Sequence, residues 1–189
     1  MTNRLAFAMS VSIALLLVSP AAAQAGPGSA RQQHCIAQAL PAFDSGTSTV
    51  RCFSTFAGAI KAATSGRVTL RNATSSRKVT SAELSGSPTS ALSTYVLSVD
   101  YKDANFSGST LSWYQSAPCG YYLAGSMPSG WNDIVSSVIA YSGCATTLYQ
   151  NSNFGGATYR IGVNRSAASL GSFNDQESSQ KWCPVYPCS

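Results

Sequence analysis

The sequence has little of what most enzyme active sites require. Its 189 residues include a single histidine, His34, and seven acidic residues. A Ser-His-Asp triad would have to use His34, which lies in a stretch without clear periodicity, and we expect this histidine at the surface. No acid pair suits glycoside hydrolysis, and no phosphate loop or dinucleotide fingerprint occurs. The sequence therefore predicts a protein that is not an enzyme.

Long hydrophobic runs are also scarce. The one at residues 5–18 follows Arg4 and precedes small residues that contain A-x-A sequences up to Ala25. This run is short for a membrane span, and the pattern is typical of a cleaved signal peptide covering residues 1–25. We expect a secreted protein that has no membrane association once the signal is removed.

The six cysteines show no C-x-x-C spacing, and with one histidine a zinc site is disfavoured. All six follow the predicted signal peptide, so export would place them in an oxidising compartment and favour three disulfides. Spacing alone leaves their connectivity open. We predict nearest-neighbour pairing, which keeps each bridge within one segment of the chain: Cys35–Cys52, Cys119–Cys144 and Cys183–Cys188.

Charge of either sign is sparse, with a formal net charge of +5. The excess of basic residues lies before residue 94, but these residues are scattered and no aromatic residues alternate with them. A solvated surface is therefore favoured over a nucleic-acid interface, and we predict no nucleic-acid partner.

Residues 26–50 show weak periodicity and contain several turn-forming residues. Ser54 is a candidate N-cap for one short helix at about 55–64, because its hydroxyl can accept hydrogen bonds from the first turn. The sequence RVTL at 67–70 predicts a strand, and the Ser/Thr-rich residues 72–93 predict a loop or linker. We interpret 26–93 as an N-terminal segment that is a pro-region, a small α+β module or a partly irregular stretch.

Residues 94–189 have the alternating apolar residues and frequent turns of an all-β domain, which contains an internal repeat. Three residues of the first copy recur 48 positions later: Tyr101, Phe106 and Gly108 as Tyr149, Phe154 and Gly156. Downstream, WNDIVSS is matched by FNDQESS, so that Asn132, Asp133, Ser136 and Ser137 correspond to Asn174, Asp175, Ser178 and Ser179. Neither copy can bury its strands alone, so the two are expected to pack against each other.

Each copy thus contains aromatic-x-x-x-x-aromatic-x-Gly followed by N/D-N/D-x-x-S/T-S. This pair of motifs resembles the βγ-crystallin family, and the second copy also resembles the secreted peptidase-inhibitor family of the same fold. The resemblance implies a mainly β fold, with two Greek-key motifs in a βγ-crystallin-like sandwich after a small α+β or partly irregular N-terminal segment. It also implies that the motif glycines adopt a backbone conformation closed to other residues while the aromatic rings pack over a folded hairpin.

In many microbial members of this family the second motif binds calcium, with each ion held between the two loops. Carried over residue by residue, the implied ligands are side-chain oxygens of Asp133, Ser136, Asp175 and Ser178 and backbone carbonyls of Ile134 and Gln176. Carbonyls of the opposing hairpins, at 102–103 and 150–151, are additional candidates.

The donor set independently suits calcium, which takes about six to eight oxygen ligands, because the loops offer oxygens and neither nitrogen nor sulfur. We expect all five acidic residues after residue 94 in loops: Asp100, Asp103, Asp133, Asp175 and Glu177. Turn formation is the alternative explanation, since Asn, Asp and Ser also stabilise turns. One carboxylate per ion predicts a modest Kd, on the order of 10⁻⁵ to 10⁻³ M.

The sequence therefore predicts a secreted, monomeric, disulfide-stabilised protein that binds two calcium ions. The alternative is a metalloprotease inhibitor or killer-toxin-like protein on the same fold, with an extracellular protease or a cell-surface target as its partner. A rigid loop suits an inhibitor because it binds without an ordering cost. The first copy is longer than the second around 119–125, and this insertion is where we expect such a loop.

Overall fold

The computed structural model describes residues 31–44, 48–71, 76, 78–84 and 94–188. The predicted signal peptide at 1–25 lies outside these residues, as do 85–93, where the N-terminal segment was predicted to end. One compact unit spans Arg31–Ser189. Within the described ranges, no helix combines the length and apolar character needed to cross a bilayer.

The described residues form a mainly β protein with eleven strands in two sheets. The strands are β1 (His34–Gln38), β2 (Leu40–Pro41), β3 (Val50–Phe53), β4 (Tyr95–Asp103), β5 (Ser107–Gln115), β6 (Tyr122–Ala124), β7 (Ser137–Ala140), β8 (Ala145–Asn151), β9 (Gly155–Ile161), β10 (Ser166–Ala167) and β11 (Ser179–Cys183). The described residues also form two helices, α1 (Phe56–Ala63) and α2 (Ser81–Leu84), and three 3-10 segments, Ala104–Phe106, Ser152–Phe154 and Gly171–Phe173.

The two repeat copies exchange their third strands. The first copy supplies β4–β7 and the second β8–β11. The six-stranded sheet has the order β10-β7-β4-β5-β1-β3, and the five-stranded sheet has the order β2-β6-β11-β8-β9. Strand β6 of the first copy thus pairs with β11 of the second, and β10 of the second pairs with β7 of the first. Because each sheet needs strands from both copies, the predicted sandwich of two Greek keys is confirmed.

The N-terminal segment adds strands to both sheets. Strand β1 runs parallel to β5, whereas β2 pairs antiparallel with β6. The chain crosses between the sheets at the buried Ala39, whose N–H donates to the carbonyl of Tyr114 at 3.1 Å. The expectation for His34 is wrong: it is buried on β1, with Nδ1 3.0 Å from Thr110 Oγ1. Periodicity missed β1 because a strand covered on both faces does not alternate.

Helix α1 packs on the outer face of the six-stranded sheet. It confirms the predicted helix, but the N-cap is Thr55, not Ser54, because the Thr55 hydroxyl accepts the N–H of Gly58 at 3.1 Å. Four apolar side chains at helical spacing are buried: Phe56, Ala59, Ile60 and Ala63.

The predicted strand at 67–70 is wrong. These residues are not in a strand, and Val68 and Leu70 instead contribute their side chains to the cluster beneath α1. Of the predicted linker at 72–93, the described part includes α2, whose Leu84 is buried in the same cluster. Burial of these scattered apolar side chains needs no sheet pairing, which explains why strand propensity did not decide the local structure.

Three disulfides brace the sandwich, and the predicted pairing is confirmed for all of them: Cys35–Cys52, Cys119–Cys144 and Cys183–Cys188. The first joins β1 to β3, and the second ties the insertion before β6 to the start of β8. Between the sheets, the rings of Trp113 and Trp182 pack with centroids 5.0 Å apart.

Candidate metal site

The two loops predicted to bind calcium face each other across the repeat. Asp133 Oδ1 accepts a hydrogen bond from Ser178 Oγ at 3.4 Å, and Asp175 Oδ1 accepts one from Ser136 Oγ at 3.0 Å. Each carboxylate therefore contacts the hydroxyl of the other copy. The sequence separates these partners by 45 and 39 residues, and the strand exchange brings them together.

Backbone hydrogen bonds fix the same crosswise arrangement. The N–H of Asp133 donates to the carbonyl of Glu177, and the N–H of Asp175 donates to the carbonyl of Val135, both at 3.0 Å. The two aspartates have φ values of 56° and 55°, a left-handed conformation that Asp tolerates better than most residues. The loops are thus held in register by main-chain contacts that do not depend on the side chains predicted to bind calcium.

The outer part of each loop orients its carboxylate. Asn132 Nδ2 donates to Asp133 Oδ2 at 2.6 Å, and Asn174 Nδ2 donates to Asp175 Oδ2 at 2.7 Å. Each carboxylate therefore has an amide donor on one oxygen and a hydroxyl donor on the other. These asparagines and aspartates are exposed, so solutes can reach the carboxylates.

Ile134 and Gln176, whose carbonyls were predicted as ligands, occupy the third position of each loop and are half-buried. The Gln176 side chain is already engaged: its Nε2 donates to the carbonyl of Ser172 at 2.6 Å, and its Oε1 accepts from Gln150 Nε2 at 3.2 Å. All six predicted site residues therefore lie in the two facing loops, with the side chains of the aspartates and serines paired between copies.

The last serine of each loop has a different role. Ser137 Oγ donates to the carbonyl of Asp103 at 2.7 Å and accepts the N–H of Phe106 at 3.0 Å. Ser179 makes the same two contacts in the second copy, with Asn151 at 2.6 Å and Phe154 at 3.0 Å. These serines pin the folded hairpins, and the carbonyls of Asp103 and Asn151, which were candidate ligands, each already accept one hydrogen bond.

The hairpins have the geometry expected from the first motif. The rings of Tyr101 and Phe106 meet edge to face with centroids 5.7 Å apart, and the matching pair of the second copy, Tyr149 and Phe154, meets at 5.6 Å. The two motif glycines, Gly108 and Gly156, have φ values of 79° and 76°. A Cβ atom at Gly156 would lie 2.9 Å from Asn151 Nδ2.

We expect Gly156→Ala to lower the free energy of unfolding by about 1–3 kcal/mol, because alanine adds both a strained φ and a close contact with Asn151. Gly130→Ala is the matched control, since Gly130 has a φ of 80° but a Cβ there would meet nothing within 4 Å. Chemical denaturation of both variants measures the difference. An equal loss in both would show that the contact with Asn151 contributes nothing.

Of the five acidic residues expected in loops, Asp100 and Asp103 lie on β4 instead, whereas Glu177 is in the second loop as expected. Asp100 and Glu177 are both fully buried. Asp100 lies on β4, where its Oδ2 accepts a hydrogen bond from Trp113 Nε1 at 2.6 Å. Burial raises the pKa of Asp100 to about 7. Burial, together with the nearby charge of Asp100, raises the pKa of Glu177 well above its ordinary value. Neither carboxylate oxygen of Glu177 has a hydrogen-bond partner among the described residues.

The burial of Glu177 could have been predicted from the internal repeat. Its position in the second loop corresponds to Val135 in the first, an apolar residue that is also fully buried. The burial of Asp100 could not be predicted, because a strand residue facing the core is expected to be apolar.

In the parts of the chain that the structure describes, no group of three or more His, Cys, Asp or Glu side chains is placed to hold a metal. The facing loops bring one carboxylate to each Asp–Ser pair. A cation there would depend on hydroxyl, amide and carbonyl oxygens for most of its ligands, which suits calcium better than zinc or copper.

Residues 101–161 match the peptidase inhibitor family I36. No curated protein matches the chain. Among solved structures, a βγ-crystallin domain from Flavobacterium johnsoniae is 27% identical and covers 49% of this chain and 99% of its own, with a TM-score of 0.35. A double mutant of a Clostridium beijerinckii βγ-crystallin domain is 26% identical, with 47% and 98% coverage and a TM-score of 0.37. A βγ-crystallin from Ciona intestinalis is 25% identical, with 44% and 94% coverage and a TM-score of 0.36.

The resemblance predicted from the two motifs is confirmed. The chain has a βγ-crystallin-like fold, with the exchanged third strands of its two Greek keys, and its central part resembles a peptidase-inhibitor family of that fold. Three disulfides are consistent with an oxidising compartment.

Proposed function

We propose that this βγ-crystallin-like protein is secreted and binds two calcium ions, one at each Asp–Ser pair between the facing loops. The observation that carries this proposal is the reciprocal contact of Asp133 with Ser178 and of Asp175 with Ser136. The pocket at Asp133 therefore includes Ser178 of the second loop, and the pocket at Asp175 includes Ser136 of the first loop.

The chemistry of the loops supports a weak calcium site. Each pocket has one exposed carboxylate and one hydroxyl. The carbonyls of Ile134 and Gln176 are the proposed further ligands. The carboxylates are held in place before any ion binds, which lowers the ordering cost of binding. Because one carboxylate leaves each ion under-neutralised, we expect Kd values on the order of 10⁻⁵ to 10⁻³ M, as in extracellular modules.

Calcium at such sites stabilises the fold by mass action. At a free concentration about 100 times the Kd, each ion adds about 2.7 kcal/mol to the free energy of unfolding. The ions would bridge the two Greek keys, because each pocket takes side chains from both copies. This role suits a structural ion rather than a catalytic one, and no enzyme activity is proposed.

Isothermal titration with calcium is expected to show two sites, accompanied by a rise in Tm. Asp133→Ala and Asp175→Ala should each remove one site, and the double variant should remove both. Asp133→Ala combined with Ser178→Ala should remove only one site, since both changes fall in the same pocket.

Asp44→Ala is the charge-matched control, because Asp44 is an exposed carboxylate outside both loops. It should titrate like the wild type. Absence of binding heat and of a Tm shift in the wild type would reject the calcium proposal. Loss of both sites in either single variant would reject two independent pockets.

A second function, inhibition of a peptidase, is favoured by the match of residues 101–161 to peptidase inhibitor family I36. The matched region begins on β4 and ends with β9, so it includes the insertion around Cys119. A sandwich braced by three disulfides can present a loop whose conformation is fixed before binding. Assays of purified protein against metallo- and serine peptidases test this function independently of calcium.

A further inference from the structure

The most exposed large apolar side chain in the described residues is Phe43. Its ring is fully exposed, whereas the other phenylalanines described are buried or half-buried. An isolated exposed apolar residue is common on protein surfaces and needs no explanation. Phe43 differs in its setting, because the backbone that carries it is tied down at several points.

The backbone around Phe43 forms a hydrogen-bonded turn on a strand. The N–H of Asp44 donates to the carbonyl of Pro41 at 2.9 Å, which places Phe43 at a central position of the turn. The N–H of Ala42 donates to the carbonyl of Tyr121 at 3.1 Å and so extends the pairing of β2 with β6. Immediately upstream, Ala39 is buried where the chain crosses between the sheets.

Two disulfides fix the segments that meet here. Cys35–Cys52 closes the loop that carries Phe43, and Cys119–Cys144 anchors the insertion that carries Tyr121. The insertion is further ordered by Tyr122, whose hydroxyl donates to the carbonyl of Pro118 at 3.0 Å. The insertion predicted from the sequence as an inhibitor loop is therefore one side of a larger, braced edge.

A second exposed aromatic side chain lies beside the turn. Tyr121 is 62% exposed, and its carbonyl accepts the N–H of Ala42, the residue before Phe43. Below it lies a cleft of about 240 Å³ whose lining includes Ala42, Tyr121, Tyr122, Leu123, Phe154 and Lys181. Lys181 Nζ lies 4.8 Å above the Phe154 ring, so its charge is directed to an aromatic face of the same molecule.

We propose that the turn at 41–44 is the element that enters the target peptidase, with Phe43 filling an apolar side-chain pocket of that enzyme and Tyr121 packing against its rim. This inference rests on the peptidase-inhibitor function proposed above and identifies its contact residues. A protruding aromatic side chain on a rigid turn is complementary to a deep pocket, where its whole ring is desolvated. The two disulfides and the backbone hydrogen bonds of Ala42 and Asp44 lower the ordering cost that such a turn would otherwise have on binding.

A flat partner fits this edge less well than an enzyme cleft. One projecting ring leaves gaps against a flat surface, whereas a peptidase cleft accepts both the side chain and the extended strand β2 that leads into the turn. A second copy of this chain is the competing occupant, and the test below distinguishes it.

The test is an inhibition series with thermolysin, subtilisin and chymotrypsin, the last of which has a hydrophobic slot for an aromatic side chain. The wild type is expected to inhibit at least one of them at micromolar concentration. Phe43→Ala should weaken that inhibition at least about tenfold, and Phe43→Leu should restore most of it. Tyr121→Ala should have a smaller effect in the same direction.

Tyr186→Ala is the matched control, because Tyr186 is 58% exposed and its ring lies beside Gly162. Gly162 follows β9, and β9 and β2 are the two opposite edges of the five-stranded sheet. The inhibition constant of Tyr186→Ala and the Tm values of all variants should match the wild type. If the wild type inhibits and Phe43→Ala inhibits equally well, the turn assignment is overturned while the inhibitor function stands. If the wild type inhibits none of the three enzymes, both are overturned. Sedimentation that shows a dimer abolished by Phe43→Ala, with inhibition unchanged, assigns the turn to self-association and likewise overturns the inference.

Discussion

In EDTA, the free energy of unfolding of this protein is expected to fall by on the order of 3–4 kcal/mol as the pH rises from about 4 to about 7. This figure is the contribution of Asp100, which is buried between the sheets and whose pKa is raised to about 7 by that burial. EDTA removes calcium, so that ion binding at the loops does not contribute to the pH dependence.

The sign follows from the proton affinities of the two states. In the unfolded chain the pKa of Asp100 lies near its ordinary value of 3.8, whereas in the folded protein the side chain holds its proton until about pH 7. The contribution of Asp100 to stability is therefore greatest below pH 4, declines across this window and is lost above about pH 7. Glu177 acts in the same direction, because its pKa is also raised. His34 opposes them below its ordinary pKa of 6.5, since burial lowers its pKa and its contribution is lost as the pH falls.

Asp100→Asn isolates the Asp100 contribution. The amide oxygen can still accept the Trp113 Nε1 hydrogen bond, while the ionisable group is gone. Urea unfolding at closely spaced pH values should give a flatter profile for this variant, with its largest gain over the wild type above pH 7. A profile that keeps the full wild-type slope would show that Asp100 is not the group responsible.

The sequence predicted the sandwich and the paired loops because both depend on the repeat. A motif written twice identifies equivalent positions, and the strand exchange then makes each loop the neighbour of its counterpart. The contacts of Asp133 with Ser178 and of Asp175 with Ser136 follow from that symmetry. The repeat did not determine the disulfide pairing, which spacing left open; nearest-neighbour pairing proved correct because each bridge links segments close in the chain.

The features that sequence reasoning missed depend on contacts outside the repeat. Strand β1 is buried on both faces, so it lacks the alternation by which a half-buried strand is recognised. The burial of Asp100 depends on donors from other strands, including Trp113 on β5, and no local pattern encodes such a partner. The exposure of the Phe43 side chain depends on the pairing of β2 with β6. This pairing joins the N-terminal segment, whose periodicity is weak, to the insertion of the first copy.

Replacement of Glu177 by leucine is expected to raise the free energy of unfolding by about 1–4 kcal/mol at pH 8. Glu177 is fully buried, and its two carboxylate oxygens lack a hydrogen-bond partner among the described residues, so its burial is costly. The repeat shows that the position accepts an apolar side chain, because the equivalent Val135 is buried in the core. Leucine is close to glutamate in volume and leaves little cavity.

The gain for Glu177→Leu should be smaller at pH 5 than at pH 8, because the raised pKa of Glu177 destabilises the folded protein only where the unfolded chain is ionised. Glu177→Gln separates the two causes: it removes the charge but keeps a buried polar group, and it should recover only the pH-dependent part of the gain in stability.

Val135→Glu makes the reverse change in the first copy and should destabilise the protein by several kcal/mol, roughly the cost of burying an unpaired acid. Calcium titration of Glu177→Leu should be unchanged, since its backbone carbonyl, which accepts from Asp133, is retained. A lower Tm for Glu177→Leu at both pH values would mean that the carboxylate has a favourable partner, and the core of the sandwich would then be organised around an acid pair.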